Sequence, residues 1–156
     1  RMAALKKAFQ AEPKNFETTF RIGEELRQEA LEGSSGYEKL AQEAIDWYER
    51  GIKLNPFDSA VAHNNLFYGV CLDLLGRQKE SPEYFKRAEE LDPNGYLTMA
   101  YIGRHYMELG DFAAARSYFE RSQRLQWIDN PIAESYLEIV NRRLAEATEA
   151  DKKPSF

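Results

Sequence analysis

Catalysis at neutral pH needs a nucleophile and a base that can meet, and this chain holds few residues of either type. One cysteine, Cys71, and two histidines, His63 and His105, could in principle form a thiolate and imidazolium pair. Cys71 lies between Val70 and Leu72, however, and an apolar setting favours a buried structural thiol over a reactive one. Acidic neighbours such as Glu24-Glu25 and Glu89-Glu90 could share acid and base work, but charged pairs in helical stretches are ordinarily solvated faces. No Gly-rich phosphate loop, no His-Glu-x-x-His and no Cys-x-x-Cys is present. The sequence therefore assigns no catalytic residue, no cofactor and no metal ligand, and points away from an enzyme.

Composition sets the remaining bounds. A chain of 156 residues corresponds to one domain with room for a sizeable core. Hydrophobic residues make up 43% and charged residues 30%, and the net charge is -5. That balance describes a soluble globular protein and opposes nucleic-acid binding, which calls for a basic excess to neutralise phosphates. The apolar run Leu66 to Leu72 ends at Asp73, well short of the ~20 residues of a membrane span. Lys6 and Lys7 break the apolar stretch near the start, so it does not read as a signal peptide, and the compartment stays open.

Only three valines occur among many Ala, Leu, Glu, Arg and Lys, and no long stretch alternates apolar with polar, so the chain reads as all helical. The helix breakers recur in phase. Gly23, Gly69 and Gly103 each follow a large residue and precede Leu26, Leu72 and Tyr106 by three. A second frame follows each glycine: Ala44, Tyr48, Gly51 and Pro56; Ser81, Phe85, Ala88 and Pro93; Ala115, Phe119, Ser122 and Trp127. Two alternating frames mean pairs of helices. Gly69 to Gly103 spans 34 residues, as does Pro93 to Trp127, and Gly69 to Ser81 spans 12, as does Gly103 to Ala115.

These residues and spacings resemble the tetratricopeptide repeat, a 34-residue helix-turn-helix with small residues at positions 8, 20 and 27, an aromatic at 24 and proline at 32. The resemblance implies an all-α, right-handed α-solenoid of antiparallel helix pairs. On that register residues 1–150 form one domain. Residues 1–15 are the second helix of a preceding, truncated repeat, 16–58 a repeat with an insertion near 29–37, 59–95 and 96–129 two further repeats, and 130–148 an end helix. Residues 149–156 are expected to be a flexible tail. The first repeat carries nine extra residues including Gly33-Ser34-Ser35-Gly36, which predicts a longer helix pair with a flexible tip. Three extra residues between Pro56 and Gly69 predict nearly one turn added at the start of the next helix. The pattern's tryptophan at position 4 is replaced by Thr19, Asn65 and Met99.

Packing gives the register an independent reason. Glycine inside a helix costs about 1 kcal/mol relative to alanine, so Gly23, Gly69 and Gly103 must serve close approach, expected here against small Ala44, Ser81 and Ala115. Pro13, Pro56 and Pro93 end helices, while Pro131 after Asn130 starts one. Because the chain opens at repeat position 20, it is expected to be an excised piece of a longer array, with an apolar face at Leu5 and Phe9 that could support a homodimer. The end helix is expected to bury Ile132, Tyr136, Ile139, Val140 and Leu144.

By resemblance, the first helices of successive pairs line a concave groove for an extended peptide or a helix. The positions facing it include Phe20, Arg21, Glu24 and Arg27; His63, Leu66, Phe67, Val70 and Asp73; Leu97, Tyr101 and Arg104; and Glu134 and Glu138 of the end helix. One subclass grips chaperone C-terminal carboxylates with Lys, Arg and Asn; the matching positions here hold Phe20, Glu24, Phe67, Leu97 and Tyr101, which cannot make those charge-assisted contacts. The implied partner is a protein or peptide with apolar or aromatic anchors, without nucleic acid and without membrane insertion. Two other readings stand: Phe67 and Tyr101 are core, or the chain is a structural spacer or oligomerisation segment of a longer multidomain protein.

Overall fold

The computed structural model describes residues 1–33 and 35–152. Helix is the only regular secondary structure among them. They form two compact units, Arg1–Asp92 and Pro93 onward. The first holds α1 (Met2–Ala11), α2 (Phe16–Leu31), α3 (Tyr37–Leu54), α4 (Ala62–Leu74) and α5 (Ser81–Leu91). The second holds α6 (Tyr96–Glu108), α7 (Phe112–Leu125) and α8 (Pro131–Lys152). Within each unit, helices consecutive in sequence pack on one another.

The boundaries follow from local chemistry. Asn15 accepts hydrogen bonds from the Glu17 and Thr18 amides to open α2, and Asp111 accepts from the Ala114 amide at 3.1 Å to open α7. Such caps satisfy amides that have no partner inside the helix. Pro82 lies in the first turn of α5, where its missing N–H costs nothing. The turns closing α4 and α6 share one geometry. Gly76 and Gly110 have φ of +74° and +80°, and the next amides reach back five residues, Arg77 to Leu72 O at 2.8 Å and Asp111 to Tyr106 O at 2.9 Å. A side chain at either glycine would be strained in that left-handed conformation.

The first helix pair and the segment before α4 differ in length from the later pairs. α2 and α3 have 16 and 18 residues against 13 and 11 in α4 and α5, so the first pair is the longer one. The centre of its tip, Ser34, lies outside the described residues. The three extra residues before Gly69 form a separate 3₁₀ turn, Ser59–Val61, capped by Asp58, rather than extending α4 as a regular turn.

The position-8 glycines give a different result from the expected contact of small residues. An added Cβ on Gly23 would stand 2.6 Å from the Tyr48 ring, on Gly69 3.0 Å from the Phe85 ring, and on Gly103 2.8 Å from the Phe119 ring. Each glycine is a seat for the aromatic residue of the paired helix, and the small residues Ala44, Ser81 and Ala115 are buried one turn before it. Gly51 has the same character in the other frame, since a Cβ there would collide with the Asn64 amide and the Thr19 hydroxyl.

In the second unit, Ala115, Phe119, Ala133 and Val140 form a core with Tyr106, Met107, Ile132, Tyr136, Leu137 and Leu144 around it. Two expectations change here. Ile139 is exposed, and the inward stripe of α8 runs instead through Ala133, Leu137, Val140 and Leu144, because these share one face at helical spacing with the partly buried Ile132 and Tyr136. α8 also continues to Lys152, so residues 149–152 are helical rather than tail; residues 153–156 lie outside the described ones. α1 packs on α2 and carries Phe9, whose ring meets the Trp47 ring of α3 edge-on at 5.0 Å.

Candidate functional site

The first-helix residues of the first unit converge on an aromatic cluster. Phe20 of α2 lies 6.1 Å from the Phe67 ring and 6.2 Å from the His63 ring of α4, and 6.1 Å from Tyr48 of α3. His63 also meets Phe67 edge-on at 6.1 Å, and its Nε2 stands 3.8 Å from Asp92 Oδ2.

Beside these rings lies a polar network of unusual order. Arg27 forms a two-point pair with Glu24, Nε to Oε1 and Nη2 to Oε2, both at 2.9 Å. The guanidinium also lies 4.2 Å above the Phe67 ring, a cation–π geometry. Tyr48 donates its hydroxyl to Glu24 Oε1 at 2.6 Å from the facing helix. One carboxylate thus joins an arginine, a phenol and, through the arginine, a phenyl ring. The three-residue spacing of Glu24 and Arg27 puts them on one face of α2.

Burial sorts the predicted groove residues. Leu66 is 0% exposed and Arg27 and Phe67 are 6% exposed each, so these three belong to the interior and cannot anchor a ligand. The physical reason is that position 6 of α4 points at α2, where Arg27 covers it. Phe20, Glu24, His63, Val70 and Asp73 are half-buried and Arg21 is exposed. Asp73 accepts the Ser81 hydroxyl at 2.6 Å, tying α4 to the start of α5. In the second unit Leu97, Tyr101 and Arg104 of α6 are half-buried, with Arg104 paired to Glu108 at 3.1 Å. Glu134 and Glu138 are exposed on α8; Glu134 lines a small cleft with Gln123, Trp127 and Asn130, and Glu138 pairs with Arg142 at 3.5 Å.

Reasoning from sequence missed three residues that matter here. Tyr48 reads as a packing ring, and nothing local to it signals that its hydroxyl reaches a glutamate 24 residues earlier. Phe57 and Trp127, 92% and 82% exposed, follow helices that end at repeat boundaries. Only the replacement of the expected proline by Trp127 marks either of them in sequence.

Cys71 is free and fully buried. Burial pushes its thiol up to about 12, with the nearby Arg27 charge pulling the other way. Burial also raises the Tyr48 and Tyr68 phenols well above their ordinary value. In the unfolded chain the thiol ionises near pH 9 and the phenols near pH 10. A folded pKa above the unfolded one means stability is intact below pH 9 and declines as pH rises toward 12. Iodoacetamide labelling of Cys71 at pH 8 should therefore follow the unfolded fraction, and the denaturation midpoint should fall steadily above pH 9. Rapid labelling of the folded chain would count against this burial. Among the described residues, no group of three or more His, Cys, Asp or Glu is placed to hold a metal, and no helix is long and apolar enough to cross a membrane.

The paired helices, the ring seated on each position-8 glycine and the shared turn geometry define a helical-repeat protein. The family model of the tetratricopeptide repeat matches residues 62–94 and 102–126, and these segments belong to that family. The fold is that of solved tetratricopeptide solenoids. A thermophilic tetratricopeptide protein of Thermus thermophilus superimposes with a TM-score of 0.77 at 14% identity, over 88% of this chain and 70% of that one. The Sgt2 tetratricopeptide domain of Aspergillus fumigatus does so with a TM-score of 0.66 at 18% identity, over 86% of each. In sequence, anaphase-promoting complex subunit 3 of Schizosaccharomyces pombe is 25% identical over 126 residues. That match takes in 80% of this chain and 17% of the subunit, so the chain spans about a sixth of that relative's length.

Proposed function

We propose that the chain is a non-enzymatic protein-interaction module that takes an extended peptide or an amphipathic helix along its first-helix faces. Tetratricopeptide proteins are generally scaffolds that bind other proteins, and a relative that is a subunit of a multiprotein complex fits that role. The observation that carries the finer reading is the cluster on α2 and α4. Half-buried Phe20 and His63 lie side by side on a rigid backing of Phe67, with the Glu24–Arg27 pair fixed next to them. Aromatic surface held in one conformation binds at low entropic cost, which is why aromatic anchors dominate interface energetics. The face pairs that apolar surface with exposed Arg21, so a partner segment would present an apolar stripe beside an acidic residue.

The buried position of Phe67 changes how this is tested, because Phe67→Glu would unfold the first unit before it informed on binding. Phe20→Ser and Arg21→Glu act on the accessible part of the same face. In capture from native lysate, with melting of each variant checked first, these two changes together should lower recovery of bound partners at least about tenfold. Equal recovery by a folded variant would remove the first-helix face of this unit from the function and leave the spacer reading in its place.

A further inference from the structure

Tyr68 of α4 and Tyr84 of α5 stack face to face, with ring centroids 3.8 Å apart and planes 10° from parallel. Aromatic pairs ordinarily keep their centroids about 4.5 to 7 Å apart in offset or edge-on arrangements, so the overlap here is unusually complete. The neighbouring residues explain it. Tyr68 directly precedes Gly69 and Tyr84 directly precedes Phe85, and a Cβ on Gly69 would stand 3.0 Å from the Phe85 ring. The glycine seat that draws α4 and α5 together thus presses the two tyrosines onto one another. Their hydroxyls share a hydrogen bond, which points the rings the same way. Each hydroxyl-bearing carbon is flanked by two ortho carbons, so with the hydroxyls together an ortho carbon of one ring lies against the other ring at van der Waals spacing.

Both rings are half-buried, which leaves part of each open to a small oxidant. Arg87 lies over the Tyr84 ring at 5.6 Å. Burial and the bond to Tyr84 keep the Tyr68 phenol protonated well above neutral pH, so loss of an electron from it carries the hydroxyl proton away as well. The phenoxyl radical that results holds its unpaired spin on the oxygen and on the ortho carbons, the atoms that the stack places against the second ring. Tyr106 of α6 and Tyr118 of α7 provide a comparison within the same chain. Their planes are 9° from parallel, but the centroids are 5.5 Å apart, in the ordinary range for offset rings.

We propose that Tyr68 and Tyr84 form an oxidative modification site, at which a peroxidase-type one-electron oxidant joins the two rings ortho to ortho as an intrachain dityrosine. Each phenol gives up one electron and one proton, and the two phenoxyl radicals form one carbon–carbon bond. The ring hydrogens at that bond then move to the oxygens, which restores both phenols. The pair loses two hydrogens in all, and one hydrogen peroxide is reduced to two waters. The new bond ties together the two helices of one repeat and closes a loop from residue 68 to residue 84, a constraint the chain keeps when it unfolds. It uses none of the residues assigned to peptide capture on the first-helix face.

A haem peroxidase with hydrogen peroxide, acting on the folded chain kept dilute so that contacts between chains are rare, tests it. Trypsin releases Tyr68 and Tyr84 in separate peptides, residues 54–77 and 80–86, neither of which holds another tyrosine. The monomer should gain dityrosine fluorescence, and mass spectrometry should find these two peptides joined and lighter by two hydrogen atoms. Tyr68→Phe and Tyr84→Phe, each with its melting checked first, should lower the intrachain yield at least about tenfold, because a partner held in contact reacts as if at very high concentration. Tyr106→Phe should leave the yield unchanged. In urea, where the stack is lost, coupling of the wild type should spread over other tyrosine pairs. Phenylalanine variants that keep the wild-type yield would overturn the proposal, as would joining of Tyr106 to Tyr118 just as readily, or dityrosine formed only between chains. So would a folded wild type in which Tyr68 and Tyr84 are oxidised without being joined, or stay unmodified while other tyrosines react.

Discussion

Replacing Gly103 with leucine should destabilise the second unit by about 3 kcal/mol or more, at the upper end of what overpacking costs. An exposed helical glycine changed to a better helix former would gain roughly 1 kcal/mol instead, so the sign alone is informative. The loss is expected because a Cβ at position 103 falls 2.8 Å from two atoms of the Phe119 ring and 3.1 Å from a third. The ring has nowhere to go: Phe119 is fully buried and Tyr136 of α8 stacks on it at 5.9 Å. Chemical denaturation of Gly103→Ala, Phe119→Leu and the double variant would measure the coupling directly. We expect the double variant to be more stable than the sum of the two single changes requires, by about 1 kcal/mol or more. Additive losses would mean that the ring is not what excludes a side chain at position 103.

The second large effect is expected at Glu24. Changing it to leucine removes the carboxylate from Arg27, whose side chain is only 7% exposed, and from the Tyr48 hydroxyl in the same step. Removing one member of a buried charge pair typically costs about 3 to 5 kcal/mol, because the remaining charge keeps its desolvation without that partner's attraction. Tyr48→Phe deletes only the hydroxyl and should cost less, about 1 to 3 kcal/mol. Replacing Glu24, Arg27 and Tyr48 together by Leu, Leu and Phe should recover much of the loss, since no charge is then left buried. Urea denaturation of the set decides the matter. A Glu24→Leu variant within about 1 kcal/mol of wild type would place the network with ordinary surface ion pairs.

The parts of the fold that repeat were legible in the sequence, and the parts that occur once were not. Gly69 and Gly103, Pro56 and Pro93, and the aromatic residues Tyr48, Phe85 and Phe119 announce the helix pairs because each repeat restates the same packing problem. The identity of what each glycine faces was misjudged, because spacing along the chain cannot tell whether the small residue or the ring one turn later makes the closest approach. On the first-helix face, the family resemblance placed Phe20, Leu66 and Phe67 alike along the groove, with a core position left open for Phe67. Burial separates them, since Arg27 lies over Phe67 in an arrangement that depends on a carboxylate and a cation meeting three residues apart. Nothing in the period pairs Tyr68 with Tyr84; their stack emerges from two helices meeting in space.

The seat of an aromatic ring on a glycine has a consequence for how such chains can change over time. In each helix pair neither member is free to drift alone: a side chain at the glycine evicts the ring, and a smaller residue at the ring leaves the glycine as a void flanked by helix. Viable histories must therefore pass through paired substitutions, or through an intermediate weakened enough to be selected against. Related sequences should show Gly23 with Tyr48, Gly69 with Phe85 and Gly103 with Phe119 being kept or exchanged together, while each pair varies independently of the other two.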